Sequence, residues 1–272
     1  MVEPSNLEEL ARRAIAGERD AVSGLVRALQ GDIYGLALRI LWRREDAEDA
    51  TQEILIRTIT RLSQFDFRSQ LKTWVYRVAA NYLLDVRKSP VERLNLSFER
   101  FADDLLEGLS SDGPAENERS VLTEEVKIGC TLAMLQCLDR PHRLAYVLGE
   151  ILELAAPDAA ETLEIEPAAF RKRLERAREA IESFTGAYCG LVSDGSACRC
   201  NLRVAAAVRL GRASADSPNF ADKPSSFEEA RSLVRSVEQA RWALQLHRAS
   251  RPRDSVVDFA RQVVSALDPA HE

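Results

Sequence analysis

The sequence has no long hydrophobic run and little cysteine. These two features argue against a membrane protein and against a disulfide-rich secreted protein. No stretch of its 272 residues approaches the ~20 consecutive apolar residues that a membrane-spanning helix needs. The N-terminal segment is charged and lacks an apolar centre, so we do not expect a secretory signal there. Five cysteines fit a reducing compartment, where thiols are more often free or metal-bound than paired. We therefore expect a cytoplasmic protein without membrane insertion.

An excess of positive charge is also missing. The formal net charge is -6, which excludes a protein that coats nucleic acid non-specifically, because phosphate contacts require an excess of Lys and Arg. The sequence shows no nucleophile–base pair, no glycine loop of the phosphate-binding kind and no complete metal site. We therefore do not expect an enzyme.

Helical spacing of apolar residues dominates, and strand-like alternation is absent. The pattern predicts an all-α protein, and the acidic stretch rich in Ser and Gly before residue 121 predicts a linker. We expect four parts: two small helical domains, the linker between them, and a helical C-terminal extension with a Cys-containing loop. Their predicted ranges are 1–90, 91–120, 121–186 and 187–272. Within them, single helices are expected over 6–29, 32–42, 46–65, 70–88, 226–248 and 254–267. A set of helices interrupted near Pro141, Pro157 and Pro167 is expected over 122–184.

The stretch "FDFRSQLKTWVYRVAANYLLDVRK", residues 65 to 88, carries more rings and cations than a helix core needs. At ~100° per residue, an apolar stripe faces one way, while Trp74, Arg77 and Asn81 lie on its flank and Phe65 and Phe67 precede it. Rings stack on bases, amides read base edges and cations hold phosphates. We expect the rings to stay outside the core, beside a pocket for an unpaired base. The alternative is an ordinary aromatic core with a solvated basic flank.

The preceding segment places acidic and amide side chains at the head of a helix, where the helix dipole favours acids. They are Asp46, Glu48, Asp49, Gln52 and Glu53. By itself this is a charged helix start, or a polar docking surface for a basic partner.

Together, "DAEDATQEI" and "FDFRSQLKTWVYRVAANYLLD" resemble the second conserved region of bacterial sigma-70-family initiation factors, above all the extracytoplasmic-function group. The resemblance implies that the five polar residues contact the clamp helices of RNA polymerase. It implies that Phe65, Phe67, Arg68 and Ser69 form the loop that captures a flipped minus-ten base. Trp74, Arg77 and Asn81 would contact the non-template strand beside it. Many relatives carry glycine where Phe67 stands, so this loop is expected to hold its base differently.

A second stretch, "FRKRLERAREAI", resembles the minus-thirty-five recognition helix of the same family. Its apolar face is predicted to be Phe170, Leu174, Ala177, Ile181 and Phe184. The resemblance implies that Arg171, Lys172, Arg173 and Arg176 contact DNA from the other side, as the second helix of a helix-turn-helix does. Without the resemblance, a surface helix with charge pairs such as Arg178–Glu182 would explain the same residue pattern equally well.

This second stretch also departs from the family pattern. Glu164 stands where the turn usually has glycine, and Glu166 stands where a serine often caps the recognition helix. Because acids near the groove repel phosphate, we expect weak or altered minus-thirty-five binding.

Cys189, Cys198 and Cys200 fall within one short loop and are candidates for a zinc or other soft-metal site, for redox pairing, or for inert structural thiols. A tetrahedral site needs a fourth ligand, which Cys130, Cys137 or His142 would supply only through folding. Otherwise no cofactor is expected.

The extension beyond residue 200 lies outside the resemblance. It is either a helical pair packed on the second domain or a built-in regulator that masks a DNA or polymerase surface. Leu233, Val237, Ala240, Trp242 and Leu244 are its predicted packing residues.

The leading interpretation is a sigma factor that binds core RNA polymerase and promoter DNA, with an anti-sigma factor as a possible further partner. Two alternatives remain open. One is a free-standing helix-turn-helix regulator, which needs a dimer and a two-fold operator. The other is a thiol- or metal-sensing adaptor built on sigma-like domains.

Overall fold

The computed structural model describes residues 4–87, 90–111, 116–214 and 216–267. The chain is 70% helical, and within the described residues the only strand-like pairing is an isolated bridge between Cys189 and Cys198. The all-α prediction is confirmed. In the same ranges, no helix combines the length and the apolar character needed to cross a bilayer.

The helices are short to medium in length. In chain order they are α1 Pro4–Ile15, α2 Arg19–Leu41, α3 Arg44–Thr60, α4 Leu71–Asp85, α5 Pro90–Arg93, α6 Phe98–Leu106, α7 Glu116–Gln136, α8 Arg140–Tyr146, α9 Ala156–Thr162, α10 Pro167–Tyr188, α11 Cys200–Arg209, α12 Phe227–Val234, α13 Trp242–Ala249 and α14 Phe259–Ala266. A π turn over Val147–Ile151 follows α8, and 3₁₀ turns cover Leu62–Gln64 and Gln239–Arg241.

Two compact units divide these helices, and each draws on separate parts of the chain. The first contains the described parts of 1–90, 154–171 and 254–272, and the second contains those of 91–153 and 172–253. The sequence-based boundary at residue 90 coincides with a unit boundary. Beyond it, the predicted domains are successive blocks of chain, whereas the units combine segments distant in sequence.

In the first unit, α1 to α4 form a bundle whose break points differ from the predicted ones. α1 ends near Gly17, whose φ of +91° is a conformation that glycine adopts without a Cβ clash. Residues 19–41 then form one helix rather than two, and Gly31 lies inside it. Along α2, the side chains of Leu25, Leu29 and Ile33 are buried, so the apolar stripe continues across the predicted gap.

Polar contacts from distant residues fix α4 on this bundle. The first backbone N–H of the helix, on Leu71, donates to the Glu8 carboxylate at 3.1 Å, which satisfies a donor that helix starts leave unpaired. Lys72 Nζ lies 2.6 Å from Asp32 Oδ2 on α2. Tyr76 is buried, and burial together with the nearby Asp32 carboxylate raises the pKa of its hydroxyl.

The second unit includes the predicted linker, which is a correction to the sequence interpretation. Residues 98–106 form α6, which buries Phe101, Ala102 and Leu105. Glu92 is buried and accepts hydrogen bonds from Arg140 at 2.7 and 2.8 Å and from Arg143 at 3.2 Å. Burial lowers the pKa of the Arg143 guanidinium to about 10. Residues 112–115 of that predicted linker lie outside the described residues.

The C-terminal extension also differs from its prediction. The expected helix over 226–248 is two helices, α12 and α13, with a turn between them. Leu233 and Ala240 are exposed, while Val234, Ala243 and Leu246 are buried. Helical spacing counted through the turn gave the wrong register.

The last helix, α14, belongs to the first unit. It packs against α2 and α3, with Phe259, Ala260 and Val263 buried.

Candidate nucleic-acid interface

The start of α3 carries the predicted polymerase-binding residues on a partly open face. Asp49 is exposed, while Gln52 and Glu53 are half-buried. Glu53 Oε1 accepts a hydrogen bond from Arg57 at 2.7 Å. This part of the helix offers an acidic and polar edge to a basic partner.

The other side of the same helix start is more enclosed. The Glu48 carboxylate accepts from Arg44 at 3.1 Å and from the Ser255 hydroxyl at 2.7 Å. Asp46 is half-buried, and its Oδ2 finds no hydrogen-bond donor among the described residues. Two of the five predicted residues therefore sit on the inner side of the acidic face.

The aromatic residues before and within α4 are packed together, not held open. Phe65 and Trp74 are only 4% and 8% exposed, and their ring centroids are 5.7 Å apart. Phe67 is half-buried, 4.6 Å from Phe65, with the Arg12 guanidinium 4.6 Å above its ring. The expectation that these rings stay outside the core is wrong for Phe65 and Trp74. The reason is that the loop folds back over the helix and the two rings bury each other.

The polar members of the same predicted set remain accessible. The Arg68 side chain is 88% exposed beside Asp66, and Ser69 is half-buried. Arg77 and Asn81 are one turn apart on α4, with Asn81 exposed. A guanidinium and an amide on one open helix face are suited to contact phosphate and base edges.

Residues of α9 and the turn after it face this same side of α4. Arg77 Nη1 lies 3.9 Å from Glu161 Oε1, and Asn81 Nδ2 donates to Glu164 Oε2 at 3.5 Å. Both contacts are long and partly exposed, so each is worth little by itself. Their chemistry is informative, since carboxylates occupy the positions where an anionic ligand of Arg77 and Asn81 would bind.

Phe67 and Glu164, the two positions where the family resemblance expects glycine, both have left-handed backbone. Phe67 has a φ of +61° and Glu164 a φ of +52°. Glycine is favoured there because other residues suffer a Cβ clash. At both positions the chain therefore combines a glycine-type backbone with a residue that strains it.

The predicted minus-thirty-five helix is α10. All five residues of its predicted apolar face are buried, which confirms the helical register. Arg171, Lys172 and Arg176 are exposed, and Arg173 is half-buried. Arg178 pairs with Glu150 rather than with the expected Glu182. DNA contact by these residues stays a prediction.

All five cysteines are free thiols. Burial raises the pKa of the Cys189 and Cys200 thiols, and it raises that of Cys198 to about 12. Gly190 N donates to Cys198 O at 2.9 Å, and a Cβ at Gly190 would lie 2.5 Å from that oxygen, so the loop requires glycine there.

Among the described residues, no group of three or more His, Cys, Asp and Glu side chains is placed to hold a metal ion. Zinc or another soft metal at Cys189, Cys198 and Cys200 stays a prediction.

Two neighbours of the candidate surfaces were not predicted as site residues: Glu161 facing α4 and Ser255 facing α3. Helical periodicity identifies which residues are buried within an element, but it does not say which element lies opposite. The departure of Glu164 from glycine was the one sequence signal that pointed to this region.

Comparisons with known proteins find sigma factors similar to this chain. The family model for sigma-70 region 2 matches residues 25–89. The ECF RNA polymerase sigma factor SigW of Bacillus subtilis is 29% identical over 177 residues, covering 61% of this chain and 89% of SigW. The RNA polymerase sigma factor NccH of Alcaligenes xylosoxydans xylosoxydans is 31% identical over 180 residues, covering 65% of this chain and 94% of NccH. The solved structure of CnrH in complex with the cytosolic domain of CnrY aligns with a TM-score of 0.48 and 21% identity, covering 65% of this chain and 96% of the matched chain.

Proposed function

Because this chain belongs to the sigma-70 family of RNA polymerase sigma factors, in its extracytoplasmic-function group, we propose that it binds core RNA polymerase and directs promoter recognition and DNA melting. It acts as a dissociable specificity subunit and not as an enzyme. Family membership also supports an anti-sigma factor as a further partner.

One observation carries the DNA-binding part of this proposal. Arg77 and Asn81 form an accessible pair on α4, and each already meets a carboxylate of the same chain. Groups that attract carboxylates in this geometry also suit phosphate and base acceptors. The net charge of -6 makes tight binding of duplex DNA by the free protein unfavourable, so promoter contact is expected within the polymerase complex.

The acidic edge of α3 supplies the polymerase-binding part. Asp49 and Glu53 leave carboxylate oxygens open to solvent along α3. A basic partner surface would be steered to them electrostatically. The exposed cations of α10, Arg171, Lys172 and Arg176, are proposed to contact the minus-thirty-five element.

Purified core polymerase and two double variants test the proposal. Arg77→Ala with Asn81→Ala should keep polymerase affinity and lower open-complex formation by about 30-fold or more, because each of the two lost base or phosphate contacts contributes about 1–3 kcal/mol. Asp49→Lys with Glu53→Lys should lose polymerase binding instead. Permanganate reactivity of unpaired thymines in run-off templates reports melting, and gel filtration with core polymerase reports binding.

Arg61→Ala is the matched control, because it removes an exposed arginine at the end of α3. It should leave both readouts unchanged. Variants of Phe65 or Trp74 are unsuitable, since removing a buried aromatic ring costs about 3–5 kcal/mol of stability. Promoter-specific binding to duplex DNA without polymerase would contradict the proposal and favour the free-standing regulator.

A further inference from the structure

The segment from Asp254 to Leu267 lies on the inner edge of the acidic face of α3. The Ser255 hydroxyl donates to Glu48 Oε1 at 2.7 Å. Gln52 borders an open groove whose other wall is the C-terminal segment, with Val257 and Arg261 among its lining residues. Glu48 and Gln52 are two of the five residues assigned to polymerase binding, so this segment occupies part of that surface.

Apolar side chains hold the segment in place. Phe259, Ala260 and Val263 are 2%, 1% and 0% exposed, which is as buried as the centre of the bundle. The Phe259 ring meets Tyr34 of α2 with a centroid distance of 6.5 Å. The contact is therefore built from an apolar anchor on α2 and a polar contact on α3.

This docking is well suited to be reversible. α14 has eight residues, too short to be a stable helix by itself, so it depends on the surface it covers. Only three of its side chains are deeply buried, and their burial must offset the conformational entropy lost by the whole segment. Docking of this kind has a small free energy, which a competing partner can overcome.

We propose that residues 254–267 are an internal competitor of core RNA polymerase for the face formed by α2 and α3. In the docked state, Glu48 accepts a hydrogen bond from Ser255, and Gln52 borders the groove along the segment. Asp49 follows Glu48 and Glu53 follows Gln52, and these two carboxylates stay accessible to solvent. They give the polymerase its first contact with α3. Full engagement then displaces the segment. This inference rests on the proposed function, because it takes α3 as the polymerase-binding surface.

Three variants of the full chain test the competition. Ser255→Asp places a carboxylate against Glu48 and repels the segment without altering the core. Val263→Asp places a charge in the buried anchor. Val256→Asp is the matched control, because Val256 is 86% exposed and the variant adds the same charge next to Ser255.

Affinity for purified core polymerase is the first readout, measured by fluorescence anisotropy of a labelled chain. If the docked state holds about nine-tenths of the molecules, releasing the segment raises apparent affinity about tenfold. We expect that gain for Ser255→Asp and Val263→Asp, and no change for Val256→Asp. Affinities within twofold of the unchanged chain for both releasing variants would overturn the inference.

The rate of trypsin cleavage after Arg261 is the second readout and does not depend on polymerase. Docking protects the helix, so Ser255→Asp should be cleaved severalfold faster than Val256→Asp. Circular dichroism checks that each variant keeps its helix content. If Val263→Asp does not fold, Ser255→Asp alone tests whether the segment docks on α3. Equal cleavage rates would overturn the docking itself.

The two readouts also separate this inference from the proposed function. Binding of core polymerase by all four proteins with equal affinity contradicts only the competition. Absence of binding by all four contradicts the proposed function, while faster cleavage of Ser255→Asp would still show that the segment docks on α3.

Discussion

At the scale of single residues, backbone conformation explains two departures from the family pattern. Phe67 and Glu164 hold left-handed conformations where glycine was expected. A non-glycine residue pays roughly 1–2 kcal/mol for this backbone. At both positions the side chain makes a contact that glycine lacks: Phe67 packs at a tilt against Phe65 under Arg12, and Glu164 accepts from Asn81. The sequence identified the unusual residues, but their contacts depend on chain segments far away and could not be predicted.

Replacing Phe67 separates the strain from the contacts. Phe67→Ala loses the ring contacts and keeps the strained φ, which should lower the free energy of unfolding by about 2 kcal/mol. Phe67→Gly loses the same contacts but relieves the strain, so it should be about 1 kcal/mol more stable than Phe67→Ala. Urea unfolding followed by circular dichroism measures both.

Arg61 provides the control for that comparison, because its φ is -102°. There the order should reverse, with Arg61→Ala more stable than Arg61→Gly. The same order at both positions would show that the left-handed backbone of Phe67 carries no strain.

At the scale of elements, the sequence predicted helices well and their partners poorly. The register of α10 is confirmed on all five residues of its apolar face, because a 3.6-residue period reports which side of a helix is buried. The same reasoning failed over 226–248, where a turn interrupts the period. The burial of Phe65 and Trp74 was missed for another reason: the two rings pack on each other, and a loop ring on a helix flank leaves no periodic signal.

The contact of α9 with α4 predicts a small effect on DNA binding. Glu161→Gln with Glu164→Gln removes two carboxylates that face Arg77 and Asn81 and that repel phosphate. Affinity for single-stranded DNA should rise, but by no more than about threefold, because exposed ion pairs contribute at most about 1 kcal/mol. Fluorescence anisotropy at low and moderate salt measures the affinity and its salt slope.

Glu228→Gln with Glu238→Gln is the matched control, since both acids are exposed, neither lies on a proposed DNA-binding helix and the change in net charge is the same. If the control raises affinity equally, the effect comes from net charge and not from the contacts with α4.

At the scale of the whole molecule, each compact unit is assembled from segments that are far apart in the sequence. The predicted linker is the clearest case. Its acidic composition suggested solvated chain, yet Glu92 is buried between two arginines, and Asp104 pairs with Arg203 and Arg212. These acidic residues were expected to keep the segment in solvent. They instead form ion pairs with arginines some 50 to 110 residues later in the chain. Amino-acid composition gives the number of charged residues, but it does not show which of them form ion pairs.

The Glu92 site yields a strong prediction for stability. Glu92→Gln removes the buried carboxylate that both the Arg140 and Arg143 guanidinium groups contact, which should lower the free energy of unfolding by about 3–5 kcal/mol. Thermal unfolding followed by circular dichroism should show an earlier transition. Glu107→Gln, an exposed acid of the same region, should shift it little. Equal transitions for both variants would mean that the Arg140 and Arg143 charges are stabilised by other groups.

The late position of α14 in the chain has a consequence for newly made copies. The bundle of residues 4–87 leaves the ribosome well before the segment that covers it. At ordinary elongation rates, synthesis of the intervening chain takes on the order of 10 to 30 s. Throughout that interval a nascent molecule displays an uncovered α3. An unfinished nascent chain and a completed copy would therefore differ in their readiness to engage a partner, so the rate of translation sets how long α3 stays uncovered.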